Sequence, residues 1–299
     1  MEHNTAKHFV LQLGSVITLY LSVSFLLVLL FGIINLIIPD AADYYYVIEG
    51  ASYSVRLGIA ILVVFFPAYL FLTRLVNIAR REEAVLEYTG LTKWLMYLSL
   101  LIGGGVILGD LVAIILAFLN GELTTRFILK AIVLLAIVGS AFFYYLQDAR
   151  GYWLTHEQHS KVYGLVMALI VAASIVTGFF HTETPNAVRD MKLDAKQVQD
   201  LQQIQWYIQD QMLLGTSSLP TSLAKIGNGF ELPQAPEDRP AYSYAVTNQG
   251  FKLCATFSRD SERADTPPVN VEFKSDQPIK NPDNWQYKAG SYCFERIVQ

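Results

Sequence analysis

The chain alternates between long apolar stretches with little charge and short polar connections. After a polar start, Met1 to His8, an apolar run extends from Phe9 to Ile38, and four more follow at 55–76, 95–119, 127–146 and 162–180. Each comes close to or exceeds the roughly 20 residues needed to cross the hydrocarbon of a bilayer. Backbone polar groups find no water in that layer, so runs of this kind must close their hydrogen bonds within a helix. Residues 1–180 are therefore expected to form five transmembrane helices. The first run is far longer than the roughly 7–15 apolar residues of a secretory signal, and no small-residue cleavage site follows it, so it reads as a retained span.

The pattern changes after Phe180. A polar stretch, 181–193, contains Pro185 and is expected to be a linker. Val198, Leu201, Ile204, Ile208 and Met212 then recur at steps of three and four, with Asp and Gln between them, which predicts an amphipathic helix that needs a partner surface. Ser218, Leu219 and Pro220 open a second short helix running to Ile226, with Gly227 placed to end it. Beyond Pro240 the period falls to two: Tyr242, Tyr244 and Val246 alternate, Asn248, Gln249 and Gly250 turn, and Phe251, Leu253, Ala255 and Phe257 alternate again. Further strands are expected around Val269 to Phe273 and Tyr292 to Ile297. The fold class is a membrane all-α bundle of five transmembrane helices followed by a small α+β domain, residues 194–299, whose long helix packs on one face of an antiparallel sheet.

Composition supports this division. Apolar residues make up 53% of the chain, above the usual share for soluble domains. Residues 1–180 hold about ten basic and eleven acidic side chains, leaving about twelve and fifteen for the rest. Neither part has the basic excess of a nucleic-acid binder, so nucleic acid is not an expected partner. Among the short connections Lys7, Arg74, Arg80, Arg81, Lys93, Arg150 and Lys161 fall on one side, and Arg56, Arg126 and Lys130 on the other. Basic residues are retained in the cytoplasm, so the N-terminus is expected inside and the tail outside. The acidic and aromatic stretch Asp40, Asp43, Tyr44, Tyr45, Tyr46, Glu49 reads as an interfacial belt, with a recognition surface as the alternative.

Few residues suggest chemistry. Cys254 and Cys293, the only cysteines, form a disulfide in the simplest reading of an extracytoplasmic domain; two buried thiols would fit a cytoplasmic tail. Two thiolates without a histidine do not complete a zinc site, and no metal or cofactor is expected. His156, Glu157 and His159 fall short of the zinc-protease pattern, whose histidines stand four apart, and read as a solvated loop. Asp110 is the acidic residue placed well inside an apolar run, which costs a few kcal/mol and calls for a partner. Lys130 and Arg56, bending inward from their ends, are the expected members of an intramembrane polar cluster with it. Asp110 is then either part of a structural ion pair, or a protonated carboxyl hydrogen-bonded to a serine, or an ion or proton site. Gly103, Gly104 and Gly105 would permit a broken helix beside it, or simply close packing. No phosphate loop, nucleophile elbow or paired carboxylates are present in the tail, and nothing in the sequence asks for an enzyme.

Residues 8–150 resemble a family of uncharacterised bacterial multi-pass membrane proteins classified as a domain of unknown function. The tail is similar to the soluble part of pseudopilins, on Asp194, Asp200, Leu201 and Ile204 in a helix, then Leu219, Pro220, Ser222 and Leu223, then Tyr242 and Tyr244 in a hairpin. No pseudopilin processing motif precedes the fifth span, so the resemblance concerns the domain and not assembly into a pilus. The combined reading is a membrane-anchored protein of the bacterial inner membrane whose extracytoplasmic domain binds an envelope partner. Membrane lipid and further copies of the chain are its other expected partners. The alternative is a small ion- or proton-coupled transporter or channel using Asp110.

Overall fold

The computed structural model describes residues 2–38, 45–82, 90–121, 123–213, 219–226, 232–261 and 284–297. The chain divides into two compact units, Met1–Thr182 and Glu183–Gln299. The first contains helices α1 (Glu2–Ile37), α2 (Tyr45–Glu82), α3 (Gly90–Leu119), α4 (Thr125–Ala149), the single turn α5 (Tyr152–Thr155) and α6 (Glu157–Phe180). Among the described residues five helices are long and apolar enough to cross a membrane: Phe9–Ile37, Gly50–Ala79, Trp94–Leu119, Thr125–Ala149 and Glu157–Phe180. The connection from Asp40 to Glu49 lies outside the residues whose side chains are described.

Lipid tails are as apolar as leucine, so spans associate through close packing rather than through water exclusion. In the first unit that packing centres on α1 and α2. A Cβ added at Gly32 would stand 2.7 Å from the Val55 side chain and 3.1 Å from the Ala51 carbonyl; one at Gly58 would stand 2.8 Å from Leu29 and 3.1 Å from the Phe25 carbonyl. The two glycines thus bring the backbones into near contact from both sides. Gly178 of α6 meets Ile59 and Leu29 in the same place, each 3.0 Å from where its Cβ would lie. Leu26, Leu29 and Ile33 of α1, Val55, Ile59 and Leu62 of α2, Ile137 of α4 and Val171 of α6 form the buried cluster around them. Helix α3 is the least enclosed span; it leans on α4 through Gly103 and Phe142 and reaches α1 through Met96, which clusters with Leu19.

The second unit consists of α7 (Pro185–Leu213), a 3-10 turn at Leu223–Lys225 and an antiparallel sheet ordered β1 (Ser243–Thr247), β2 (Gly250–Phe257), β3 (Gly290–Ile297). The stretch 181–193, expected as a linker, is helical from Pro185 onward. Thr184 caps the helix, its Oγ1 accepting from the Ala187 amide at 3.3 Å, and proline at the first helical position carries no N–H that needs a partner. The expected strand at Val269 to Phe273, together with Ser218 and Gly227, lies outside the described residues. The hairpin falls where the alternation placed it, with Tyr244 opposite Leu253 and Val246 opposite Phe251. Gly250 follows its turn at a φ of 159°, and a Cβ there would collide with the Arg296 carbonyl on β3.

Alternate residues of β2 face α7: Phe251, Leu253, Ala255 and Phe257 join Leu201, Ile204, Ile208 and Phe294 in one buried core. Full burial of side chains of this size contributes about 1.5–3 kcal/mol each. The opposite face carries Cys254 and Cys293, directly paired across β2 and β3, with sulfurs 2.08 Å apart in a disulfide. Closing a loop of sequence separation 39 stabilises the folded state by about 2–4 kcal/mol.

Two carboxylates fix α7 to the sheet. Asp194 accepts from the amides of Ser258 at 3.0 Å and Arg259 at 3.2 Å and from the Arg239 guanidinium at 3.0 Å. Burial pushes its carboxyl above the ordinary value, against the pull of those donors. Asp200 accepts from the Tyr242 hydroxyl at 2.8 Å and from Lys196 at 2.6 Å. Burial, and then the neighbouring Asp200 carboxylate, raise the Tyr242 phenol far above its ordinary 10.0.

In the membrane unit, Gly58→Val should lower stability by about 1–3 kcal/mol through overpacking. Gly105→Val, at a site with no atom within 4 Å of the added Cβ, should leave it unchanged; melting temperatures in detergent check both. In the tail, Tyr242 binds its proton more tightly folded than unfolded. Its contribution is therefore full below the ordinary tyrosine value of 10.0 and is lost as pH rises through the raised one. A fragment 183–299 should accordingly weaken above about pH 10, and Tyr242→Phe should cost about 1–2 kcal/mol at neutral pH while flattening that alkaline decline in urea unfolding series.

Candidate functional site

A cavity of about 310 Å³ lies between α1, α2, α4 and α6. This falls at the lower end of the range of small-molecule sites, about 300–1,000 Å³. Its lining comes from the middle of α1, the second halves of α2 and α4, and the stretch of α6 from Glu157 to Val171. Leu26, Phe66, Ile137 and Val171 form the apolar floor, and all four lie near the middle of their spans. The cavity thus begins where the glycine-packed half of the bundle stops. Pro67 removes one backbone hydrogen bond from α2 at the level of the floor, and Phe66 and Tyr69 on either side of it face the space.

The middle of the wall is aromatic. Tyr144 stacks on Trp153 with centroids 5.1 Å apart and approaches Tyr163 at 5.4 Å and Tyr145 at 5.8 Å. The hydroxyl groups beside these rings are largely engaged within the protein. Tyr163 donates to the Ser140 carbonyl at 2.7 Å, Ser22 to the Thr18 carbonyl at 2.7 Å, and Ser15 and Thr73 bond to each other at 2.8 Å. This arrangement follows from the solvent: without water, a serine or threonine in a span bonds to its own helix or to the next one.

Charge appears at the mouth. Arg74 and Asn77 come from the end of α2, and Glu157, Ser160 and Lys161 from the start of α6. Lys161 and Glu157 form an exposed pair at 2.7 Å, whereas Arg74 makes no ion pair among the described residues. Helix α6 begins here without a side-chain cap, so the positive end of its dipole adds to the two cations. Just outside, Tyr152 donates to or accepts from His159 at 2.7 Å and stacks on His156 with centroids 4.2 Å apart.

The residues singled out in the sequence as an intramembrane cluster lie elsewhere. Asp110 is half-buried on α3, with its Oδ2 shielded and without a hydrogen-bond partner. Lys130 of α4 holds its ammonium 5.9 Å above the ring of Phe31, and Arg56 lies on α2. Among the described residues no ion pair joins the three, and none of them lines the cavity. Helix α3 continues unbroken through Gly103, Gly104 and Gly105. The structure joins Cys254 to Cys293, and neither lines the cavity. Sequence reasoning missed Arg74, Lys161 and the tyrosines, although a signal was present: Ser15, Ser22, Thr73, Tyr69, Ser140, Tyr144 and Tyr163 all fall in the same half of their spans.

Residues 8–145 match the family described as a domain of unknown function, DUF5671, a region that runs from the start of α1 to the last turn of α4. No curated protein and no solved structure matches the chain. Asp110→Asn should leave insertion and melting temperature unchanged, because the carboxyl supports no contact that an amide cannot replace. Thermal unfolding of the purified variant checks this, and a collapse of the bundle would return Asp110 to a central role.

Proposed function

We propose that this chain is a bacterial inner-membrane protein that takes an amphiphile of the membrane into the cavity between α1, α2, α4 and α6, and presents a separately folded domain outside the membrane to an envelope partner. The observation that carries the reading is the cavity, with an apolar floor at mid-span, aromatic walls and charge only at its mouth. A bundle that served only as an anchor would gain by filling it, since each methyl-sized void costs about 1 kcal/mol.

The placement of the tail has three supports. Basic residues in the connections favour a cytoplasmic N-terminus and, with five spans, a tail on the other side. A disulfide persists in oxidising compartments. The helix of α7 packed on a three-stranded antiparallel sheet is also the arrangement that the likeness to pseudopilins implies. Ion or proton movement through Asp110 is the weaker account, because that residue stands apart from the cavity and from its supposed partners.

Gly164 lines the cavity with no atom within 4 Å of an added Cβ, so Gly164→Trp places an indole in the space without a backbone collision. Native mass spectrometry of protein extracted from its own membrane should find an acyl or isoprenoid amphiphile on the wild type. The variant should lose it by about tenfold or more at an unchanged melting temperature. Equal retention by both proteins would remove the cavity from the function.

A further inference from the structure

We propose that the ligand of this cavity is an anionic lipid, its phosphate or carboxylate head held by Arg74 and Lys161 and its chain lying against Phe66, Ile137 and Val171. The inference rests on the amphiphile reading above and specifies its chemistry.

Three observations lead to it. First, among the described residues that line the mouth the charges do not cancel. Arg74 and Lys161 face a single carboxylate, Glu157, which pairs with Lys161 and leaves Arg74 without an ion pair among the described residues. Both members of the Lys161–Glu157 pair are at least half exposed, and an exposed i,i+4 pair of this kind is weak enough for an incoming anion to displace the carboxylate. The uncapped start of α6 presents backbone N–H groups to the same place. Second, the walls below the mouth offer few hydrogen bonds. The hydroxyls of Tyr163, Ser22 and Thr73 already have partners within the protein, so a ligand with polar groups along its length would leave them unpaired. The ligand must therefore be polar at one end only. Third, the depth fits one leaflet. From Arg74 to Phe66 along α2, and from Lys161 to Val171 along α6, the helix rise of about 1.5 Å per residue gives roughly 12 and 15 Å, about half of a hydrocarbon core of about 30 Å. A head at the interface would thus place its chain end at the floor.

The roles of the mouth residues differ in sign. Arg74 is a direct partner of the head, Lys161 a partner that must first leave Glu157, and Glu157 a competitor for the same cation. Arg74→Gln should therefore weaken anion selectivity strongly, Lys161→Gln less so, and Glu157→Gln should strengthen it.

The test uses the full-length protein in detergent, titrated in native mass spectrometry with phosphatidylglycerol, with phosphatidylcholine of the same chains, and with inorganic phosphate as a competitor. The wild type should prefer phosphatidylglycerol by about tenfold or more. Arg74→Gln should reduce that preference to about threefold or less by weakening phosphatidylglycerol more than phosphatidylcholine, Arg74→Lys should restore part of it, and Glu157→Gln should raise it. Phosphate at millimolar concentration should not compete. Competition by phosphate as effective as by the lipid would assign the site to a free anion and overturn the proposal. Equal binding of the two lipids, with both lost in Gly164→Trp, would overturn the anionic head while the amphiphile reading stands. Undiminished binding of both lipids in Gly164→Trp would overturn both.

Discussion

The membrane unit depends on the near contact of α1 and α2 at Gly32 and Gly58. Helices in lipid gain little from hiding apolar surface, and what joins them is dispersion between atoms brought close, together with the few polar bonds they share. A side chain at either glycine would separate the backbones by its own thickness and remove those contacts along the interface. Because Gly178 of α6 seats in the same place, one small region fixes three of the five spans. It also sets what happens at the other end. Where glycines give way to Phe66, Tyr69 and Tyr163, the helices meet through large side chains instead of backbones, and an opening among bulky rings is the natural result.

The two halves of the bundle therefore divide the work. The glycine half supplies rigidity, and the tyrosine half supplies a shaped space whose walls are held by their own hydrogen bonds. The intramembrane carboxylate does not line that space. Asp110 stands on α3, the span with the least enclosure, and a carboxyl there is not drawn to a cation by any packed neighbour. Lys130 is instead placed over an aromatic ring, where its charge meets the negative face of Phe31.

The sequence was most legible where a single period governs a whole segment. The spans lie within a few residues of the apolar runs, and the alternation from Tyr242 to Phe257 placed the hairpin and its turn. Legibility failed where tertiary partners decide. Thr184 and Pro185 are an ordinary helix start, yet the polar residues after them contain no apolar face long enough to declare a helix, and only burial of Ala187 and Asp194 in the tail shows why one forms. The cavity is a further case: each of its tyrosines and serines reads singly as interface or packing, and their common depth becomes evident only when antiparallel spans are laid side by side. The expected cluster of Asp110, Lys130 and Arg56 rests on a shared depth along three spans, which the sequence shows, and on which helices touch, which it does not.

The region matched to the family ends at residue 145, before α6 begins. Within it lie α1, α2 and α4, which supply the floor residues Leu26, Phe66 and Ile137 and one of the two cations, Arg74. The other cation and the competing carboxylate both belong to α6, as does Tyr163. Both parts of the chain therefore contribute to the body and to the mouth: α6 adds Val171 to the floor, and α2 adds Arg74 to the charges. Under the proposed reading, changing Glu157 and Lys161 would alter which head is accepted while the glycine contact, the floor and the aromatic wall remained as they are. On the same reading a change of selectivity would not endanger folding, since Arg74, Glu157 and Lys161 are exposed while the glycine contacts lie at the far end of the bundle.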